Sequence, residues 1–156
     1  MKTLICLAVG LLFLATLHAQ VADRVLQARP FCMQRVSSGG IRLQLTGIYI
    51  DSSLLWLVFR AGNQSAIDFR AGSMRFFIRN KHAMKRRALQ ELRLSPLVRR
   101  EAILLRSNST VSLCYGLVPR VPGKHQELVV EWVERNGDRR MQLHVRAAAL
   151  LRARKL

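Results

Sequence analysis

Acidic residues are scarce in this sequence. Nine Asp and Glu stand against 26 Lys and Arg among 156 residues, so the formal net charge is +17 at pH 7. Neighbouring cations lower carboxylate pKa values, which disfavours a catalytic acid that must hold its proton. The sequence also lacks a nucleophile elbow and a phosphate-binding glycine loop. We therefore predict that the protein is not an enzyme and has no small-molecule substrate, and its charge favours an anionic partner.

Cysteine and histidine are also sparse. Beyond the N-terminal apolar run, the chain keeps Cys32 and Cys114, which could form a disulfide in an exported protein or be two small buried hydrophobic residues. The histidines at 82, 125 and 144 lie far apart and show no metal-ligand spacing with Cys, Asp or Glu. We expect neither a metal nor another cofactor.

Long hydrophobic runs are absent except at the N-terminus. The run from Leu4 to Leu17 follows Lys2, precedes the small residue Ala19, and is too short to cross a bilayer comfortably. This pattern predicts a secretory signal peptide at residues 1–19 and hence an exported protein, with an uncleaved anchor as the alternative.

Aromatic residues are missing between residues 79 and 114, where many of the cations lie. A basic surface without aromatic side chains has nothing on which nucleic-acid bases can stack, so direct nucleic-acid binding stays uncertain. The densest cluster predicts a partner-binding surface, and it could equally be the solvated, charge-protected edge of a sheet. Its residues are Lys81, Lys85, Arg86, Arg87, Gln90 and Glu91.

Period-two alternation dominates from Gly40 onward. Ile41, Leu43 and Leu45 alternate with polar residues, and the apolar run from Leu54 to Arg60 is typical of a strand buried on both faces. Asn136-Gly137 lies between two strand-like segments, 127–135 and 140–145, which predicts a hairpin with a type I′ turn.

About seven short strands follow from this pattern. We predict an all-β fold, a single antiparallel β-sandwich of the immunoglobulin-like kind, over residues 41–146. Residues 20–40 are interpreted as a leader segment, and residues 147–156 as a basic tail that is either helical or frayed. The strand predicted at 87–94 ends at Ser95-Pro96. Glu131 and Glu134 lie opposite Arg139 and Arg140, which favours cross-strand ion pairs over acid–base chemistry.

Several segments resemble the C-terminal domain of TraN, the exported transfer protein of conjugative transposons. The basic block Ala83-Met84-Lys85-Arg86-Arg87, followed by Leu89-Gln90-Glu91 and Leu94-Ser95-Pro96-Leu97, is the most specific part of the resemblance. The other segments are Gly47-Ile48-Tyr49-Ile50, Ile67-Asp68-Phe69, Phe77-Ile78-Arg79 and the hairpin from Glu134 to Arg139, where the family tends to carry Asn-Gly-Gly-Arg. The signal peptide leads almost directly into this domain, whereas the family has a further N-terminal region, so a shortened relative is expected.

The resemblance implies a β-sandwich subunit of a type IV secretion-like apparatus for conjugation. Its partners would be other transfer proteins of the envelope complex, with contact to the outer-membrane surface, and its location the periplasm or the periplasmic face of the outer membrane. Strand addition at a sheet edge is the docking mode expected of such a domain. The alternative is a periplasmic module that binds polyanions, DNA or lipid phosphates, through the basic patch.

Overall fold

Two large β-sheets form most of the protein. The structure, a computed structural model, describes residues 18–30, 33–51, 53–81 and 91–156. The signal peptide predicted at 1–19 therefore lies almost wholly outside the described residues. No helix in the described ranges is both long and apolar enough to cross a membrane.

The strands are β1 (Gln34–Ser38), β2 (Ile41–Ile50), β3 (Leu55–Asn63), β4 (Phe69–Arg70), β5 (Arg75–Asn80), β6 (Glu91–Leu94), β7 (Val98–Arg100), β8 (Leu104–Leu105), β9 (Thr110–Leu117), β10 (Gln126–Val133), β11 (Arg140–Arg146) and β12 (Arg154–Lys155). The larger sheet has the strand order β1-β2-β3-β9-β7, with β12 beside β2, and the smaller sheet has the order β11-β10-β5-β6. A third, two-stranded sheet joins β4 to β8. Apart from the β12–β2 pair, which is parallel, the pairs are antiparallel. The predicted all-β sandwich is confirmed.

The hydrophobic core lies between the inner faces of the two sheets. Phe59 and Tyr115 of the larger sheet and Phe76 of the smaller sheet are fully buried. The Phe76 ring centroid lies 6.5 Å from that of Phe59 and 5.1 Å from that of Tyr115, distances typical of packed aromatic pairs. Period-two alternation produces this core because successive strand side chains point to opposite faces.

A helix, α1 (18–27), packs on the outer face of the larger sheet. Its residues Ala22 and Val25 are buried against Trp56, Val58 and Cys114. Alternate residues of β3 therefore contact either the second sheet or the helix, and the prediction that this apolar run is buried on both faces is confirmed. The segment interpreted as a leader thus includes a helix and a strand, β1, that both pack on the sandwich.

The hairpin between β10 and β11 is confirmed, but its predicted type I′ turn is wrong. Asn136 has φ of 62°, whereas Gly137 is not in the left-handed region. Arg135 cannot close a two-residue turn, because its backbone N–H donates to the carbonyl of Arg70 at 2.8 Å. Gly137 instead leaves room for the Glu134 carboxylate, which a β-carbon would overlap.

A turn with positive φ at both central residues occurs instead between β1 and β2. Gly39 and Gly40 have φ of 54° and 77°, and they connect the paired residues Ser38 and Ile41. This turn packs against the β10–β11 hairpin, since a β-carbon on Gly39 would lie 2.8 Å from Arg139 Cδ. The edge strands β1 and β11 also contact each other, so the two sheets meet along this side of the sandwich.

The C-terminal tail is ordered against the larger sheet. Helix α2 (Ala147–Leu151) buries Leu150 in the core and leads into β12, which pairs with residues Tyr49 and Ile50 of β2. The tail is therefore partly helical and ends as a short strand.

Candidate partner-binding surface

The predicted partner-binding residues belong to the segment that connects β5 to β6 and to the first residue of β6. Lys85, Arg86, Arg87 and Gln90 lie outside the described residues, as does the first half of the strand predicted at 87–94, whose described half is β6. Lys81 and Glu91 are described, and both are exposed. The structure thus fixes the two ends of the predicted partner-binding segment, residues 81–91: Lys81 directly follows β5, and Glu91 is the first residue of β6.

Lys81 is held at the end of β5 by two hydrogen bonds. Its backbone N–H donates to the carbonyl of His125 at 2.8 Å, and its Nζ donates to the carbonyl of Lys124 at 3.1 Å. These bonds connect Lys81, the first residue of the partner-binding segment, to the residues that precede β10. The position of Lys81 at the end of β5 is therefore fixed.

Glu91 forms a cross-strand ion pair with Arg79. Arg79 Nε lies 2.7 Å from Glu91 Oε1, and the two residues are directly paired in the register of β5 and β6. The Arg79 guanidinium also lies 4.8 Å from the ring centroid of Phe77, a cation–π distance. The ion pair stabilises the observed register of β6 against β5. The Glu91 carboxylate is thus already paired with Arg79.

The two sheets end side by side at residues 91–100, which we call the β6–β7 edge. Strand β6 is terminal in the smaller sheet and β7 is terminal in the larger one, with Ser95 to Leu97 connecting them. Among the described residues, β6 pairs with β5 on one side and with no strand on the other. No strand among the described residues covers the outer backbone groups of β6, and a strand edge of this kind can accept an added strand.

Exposed leucines and arginines alternate along the β6–β7 edge. Leu92 is 40% exposed and Leu97 is 66% exposed, while the side chains of Arg93 and Arg99 face solvent. Exposed apolar side chains beside unpaired strand backbone are the features that strand addition uses, and the arginines favour an acidic partner.

The outer face of the smaller sheet carries a buried carboxylate. Glu131 is 1% exposed, and it accepts hydrogen bonds from Arg140 and from Gln142, the latter at 2.9 Å, with Arg75 Nη2 at 2.7 Å from Oε2. Burial alone would raise the pKa of Glu131, but the Gln142 and Arg140 hydrogen bonds and the charge of Arg75 outweigh it and lower the pKa. Glu131 is thus held ionised.

The predicted cross-strand ion pairs of this hairpin are confirmed. Glu131 pairs with Arg140 and Glu134 pairs with Arg139. Hydrogen bonding from Arg139 lowers the pKa of Glu134. Both carboxylates are therefore ionised at neutral pH, and each forms its ion pair with an arginine of the same hairpin.

Cys114 is buried beneath α1. Burial raises the pKa of its thiol to about 11, so the thiolate needed for exchange chemistry is scarce at neutral pH. Cys32 lies outside the described residues, so the disulfide stays a prediction. The described residues contain no cluster of three or more His, Cys, Asp and Glu side chains that could hold a metal ion.

Sequence reasoning located the basic block but missed how the edge is built. The strand predicted at 87–94 ends at Ser95-Pro96, and the sequence pattern did not indicate β7 and β8, which follow it. The signal that could have indicated the edge is the alternation of Leu92 and Leu94 with Arg93, followed after three intervening residues by Val98 and Arg99. Two short strands separated by Ser-Pro are typical of a chain that crosses between sheets.

One protein family matches nearly the whole chain. A family model described as a domain of unknown function, DUF4138, matches residues 15–155. The chain belongs to this family. A search of curated proteins found no match.

Proposed function

We propose that this member of the DUF4138 family is a non-enzymatic structural subunit of a conjugative transfer apparatus, related to type IV secretion machines. It docks on other transfer proteins of the cell envelope. The exported chain would work in the periplasm or on the periplasmic face of the outer membrane. The proposal draws on the resemblance of its segments to the C-terminal domain of TraN.

The observation that carries the proposal is the outer side of β6, with which no strand of the described ranges pairs. This strand follows the basic block directly, and Glu91 anchors it to Arg79 without covering its outer backbone. A partner segment that adds to β6 as a further strand would gain backbone hydrogen bonds, with Leu92 contributing apolar contact. Acidic side chains on the partner would meet Lys85, Arg86 and Arg87 as it approaches.

Two variants test this docking mode. Leu92→Lys places a charge in the apolar part of the edge, and the triple variant Lys85→Glu, Arg86→Glu, Arg87→Glu reverses the basic block. Exposed side chains contribute little to stability, so we expect unfolding free energies within about 0.5 kcal/mol of the parent. Both variants should lose co-purification with the transfer proteins from solubilised envelopes of donor cells carrying a conjugative transposon.

Matched controls are Leu151→Lys and Arg146→Glu, which alter exposed residues away from this edge; Arg146 lies on β11, at the opposite end of the smaller sheet from β6. They should co-purify as the parent does. If the triple variant and Leu92→Lys retain the transfer proteins while folding normally, docking at β6 is wrong. If the parent retains none of them, the transfer function itself is wrong.

Polyanion binding is the second candidate, because Lys81, Arg93 and Arg99 are exposed along the same side. Ionic strength separates the two functions. Retention of DNA or anionic lipid vesicles should fall steeply as salt rises, whereas docking by strand addition should fall less steeply, because its backbone and apolar contacts are not screened by salt.

A further inference from the structure

The outer face of the larger sheet contains a pocket beyond the end of α1. Its volume is about 500 Å³, and its walls come from β2, β3, β9 and the turns that flank them. Pockets of this size hold small organic ligands. The pocket lies on the opposite sheet from β6, and it is independent of the proposed docking function.

Gly62 lies on the floor of this pocket. It sits within β3, paired with Arg42 on one side and Thr110 on the other. Its φ is not in the left-handed region, and the nearest atom to an added β-carbon would be Thr110 Oγ1 at 3.5 Å, an ordinary contact. Neither the backbone nor the packing requires glycine here, and glycine in a strand often marks close approach by a ligand.

Two arginines flank the floor. Arg42 of β2 is paired with Gly62 of β3, and Gln44 of β2 is paired with Arg60 of β3. The two arginines are therefore diagonal neighbours on the same face of the sheet. Arg42 Nη2 donates to Gln64 Oε1 at 3.1 Å, which orients its guanidinium, while the Arg60 guanidinium has no hydrogen bond or ion pair with another described residue. No Asp or Glu is among the described residues that line the pocket.

Arginine pairs of this kind match the chemistry of a phosphate. A guanidinium presents a planar set of donors that can bind phosphate oxygens in pairs, and two such charges balance a dianion. A phosphate monoester carries this charge near neutral pH.

The rest of the lining favours a hydroxyl-bearing ligand. Carboxamide and hydroxyl side chains both donate and accept hydrogen bonds, as alcohol groups require. Those that line the pocket around the arginines are Gln44, Asn63, Gln64, Asn108, Ser109 and Thr110. We infer that this pocket binds a phosphate monoester of a polyhydroxylated molecule, the chemical class of sugar phosphates, with the phosphate between Arg42 and Arg60.

Titration calorimetry at low salt tests the inference with three probes: glucose 6-phosphate, inorganic phosphate and glucose. Glucose 6-phosphate should bind about tenfold more tightly than inorganic phosphate, and glucose should not bind detectably. Arg60→Gln removes one of the two cations, and Gly62→Val fills the floor. Each should weaken glucose 6-phosphate binding by about tenfold or more.

Arg120→Gln is the matched control, since it removes one exposed positive charge from a loop that does not line the pocket. It should bind as the parent does. Thermal unfolding checks that Gly62→Val remains folded, and Arg60→Gln supplies the same test without filling any space. Equal affinity for phosphate and glucose 6-phosphate, absence of binding, or equal loss in Arg120→Gln would each overturn the inference.

Discussion

At the scale of single residues, Glu131 combines burial with full ionisation. Its carboxylate is nearly inaccessible to water, yet three cationic or amide side chains contact it. Hydrogen bonds to a charged group contribute more than neutral ones, and they depend on the charge being present. The stability of the smaller sheet should therefore depend on pH through this residue.

We predict that Glu131→Gln lowers the free energy of unfolding at pH 7 by about 1–3 kcal/mol, because the charged hydrogen bonds are lost. The folded protein lowers the pKa of Glu131, so the unfolded state binds its proton more readily. The stabilisation is complete above the unfolded-state pKa of about 4.3 and disappears as pH falls through the folded-state pKa. Urea unfolding at pH 7 and near pH 3 measures both effects.

Asp138→Asn is the control for this experiment, since Asp138 is exposed on the hairpin loop. It should unfold as the parent does at both pH values. A parent–Glu131→Gln difference that stays the same at low pH would show that the carboxylate's charge is not what stabilises the sheet.

At the scale of elements, the β1–β2 turn depends on its two glycines. Gly40 has φ of 77°, and a β-carbon there would lie 2.7 Å from Ser65 Cβ. We predict that Gly40→Ala lowers the free energy of unfolding by about 1–3 kcal/mol, the cost of a side chain in the left-handed region. Gly123→Ala, at a glycine without positive φ, should change stability little. Equal unfolding midpoints for the two variants would contradict the prediction.

The elements that the sequence predicted best are those with a long period-two pattern. The run through β3 predicted burial on both faces, because six consecutive apolar residues leave neither face polar. The same run did not indicate what would cover it, and a helix provides one of the two layers. Strands β4 and β8 are two residues long, too short for any period to appear.

Turn type was harder to predict than turn position. Both Gly39-Gly40 and Asn136-Gly137 fit a two-residue turn by composition, and tertiary contacts decided between them. The hydrogen bond from Arg135 to Arg70 joins residues far apart in sequence, so no local pattern reports it. The pocket at Gly62 was missed for the same reason, because its arginines become neighbours only when β2 pairs with β3.

At the scale of the whole molecule, the net charge of +17 sets how stability responds to salt. Mutual repulsion of exposed cations disfavours the compact state, and added ions screen it. We predict that the melting temperature rises when NaCl is increased from about 0.02 M to about 0.5 M. Circular dichroism across this range measures the shift, and the triple charge reversal at Lys85, Arg86 and Arg87 should show a smaller one. A melting temperature that falls with salt would mean that exposed ion pairs outweigh the repulsion.

The contact between β1 and β11 limits how copies of this protein can associate. Along that side of the sandwich the terminal strands of the two sheets lie against each other, while the side with β6 and β7 offers free backbone groups within the described chain. A neighbour could add a strand at β6 or β7 without separating the two sheets, whereas addition at β1 or β11 would have to displace the strand that lies against it. Sandwiches extendable from both sides can polymerise into fibres, so this asymmetry favours finite complexes over aggregation.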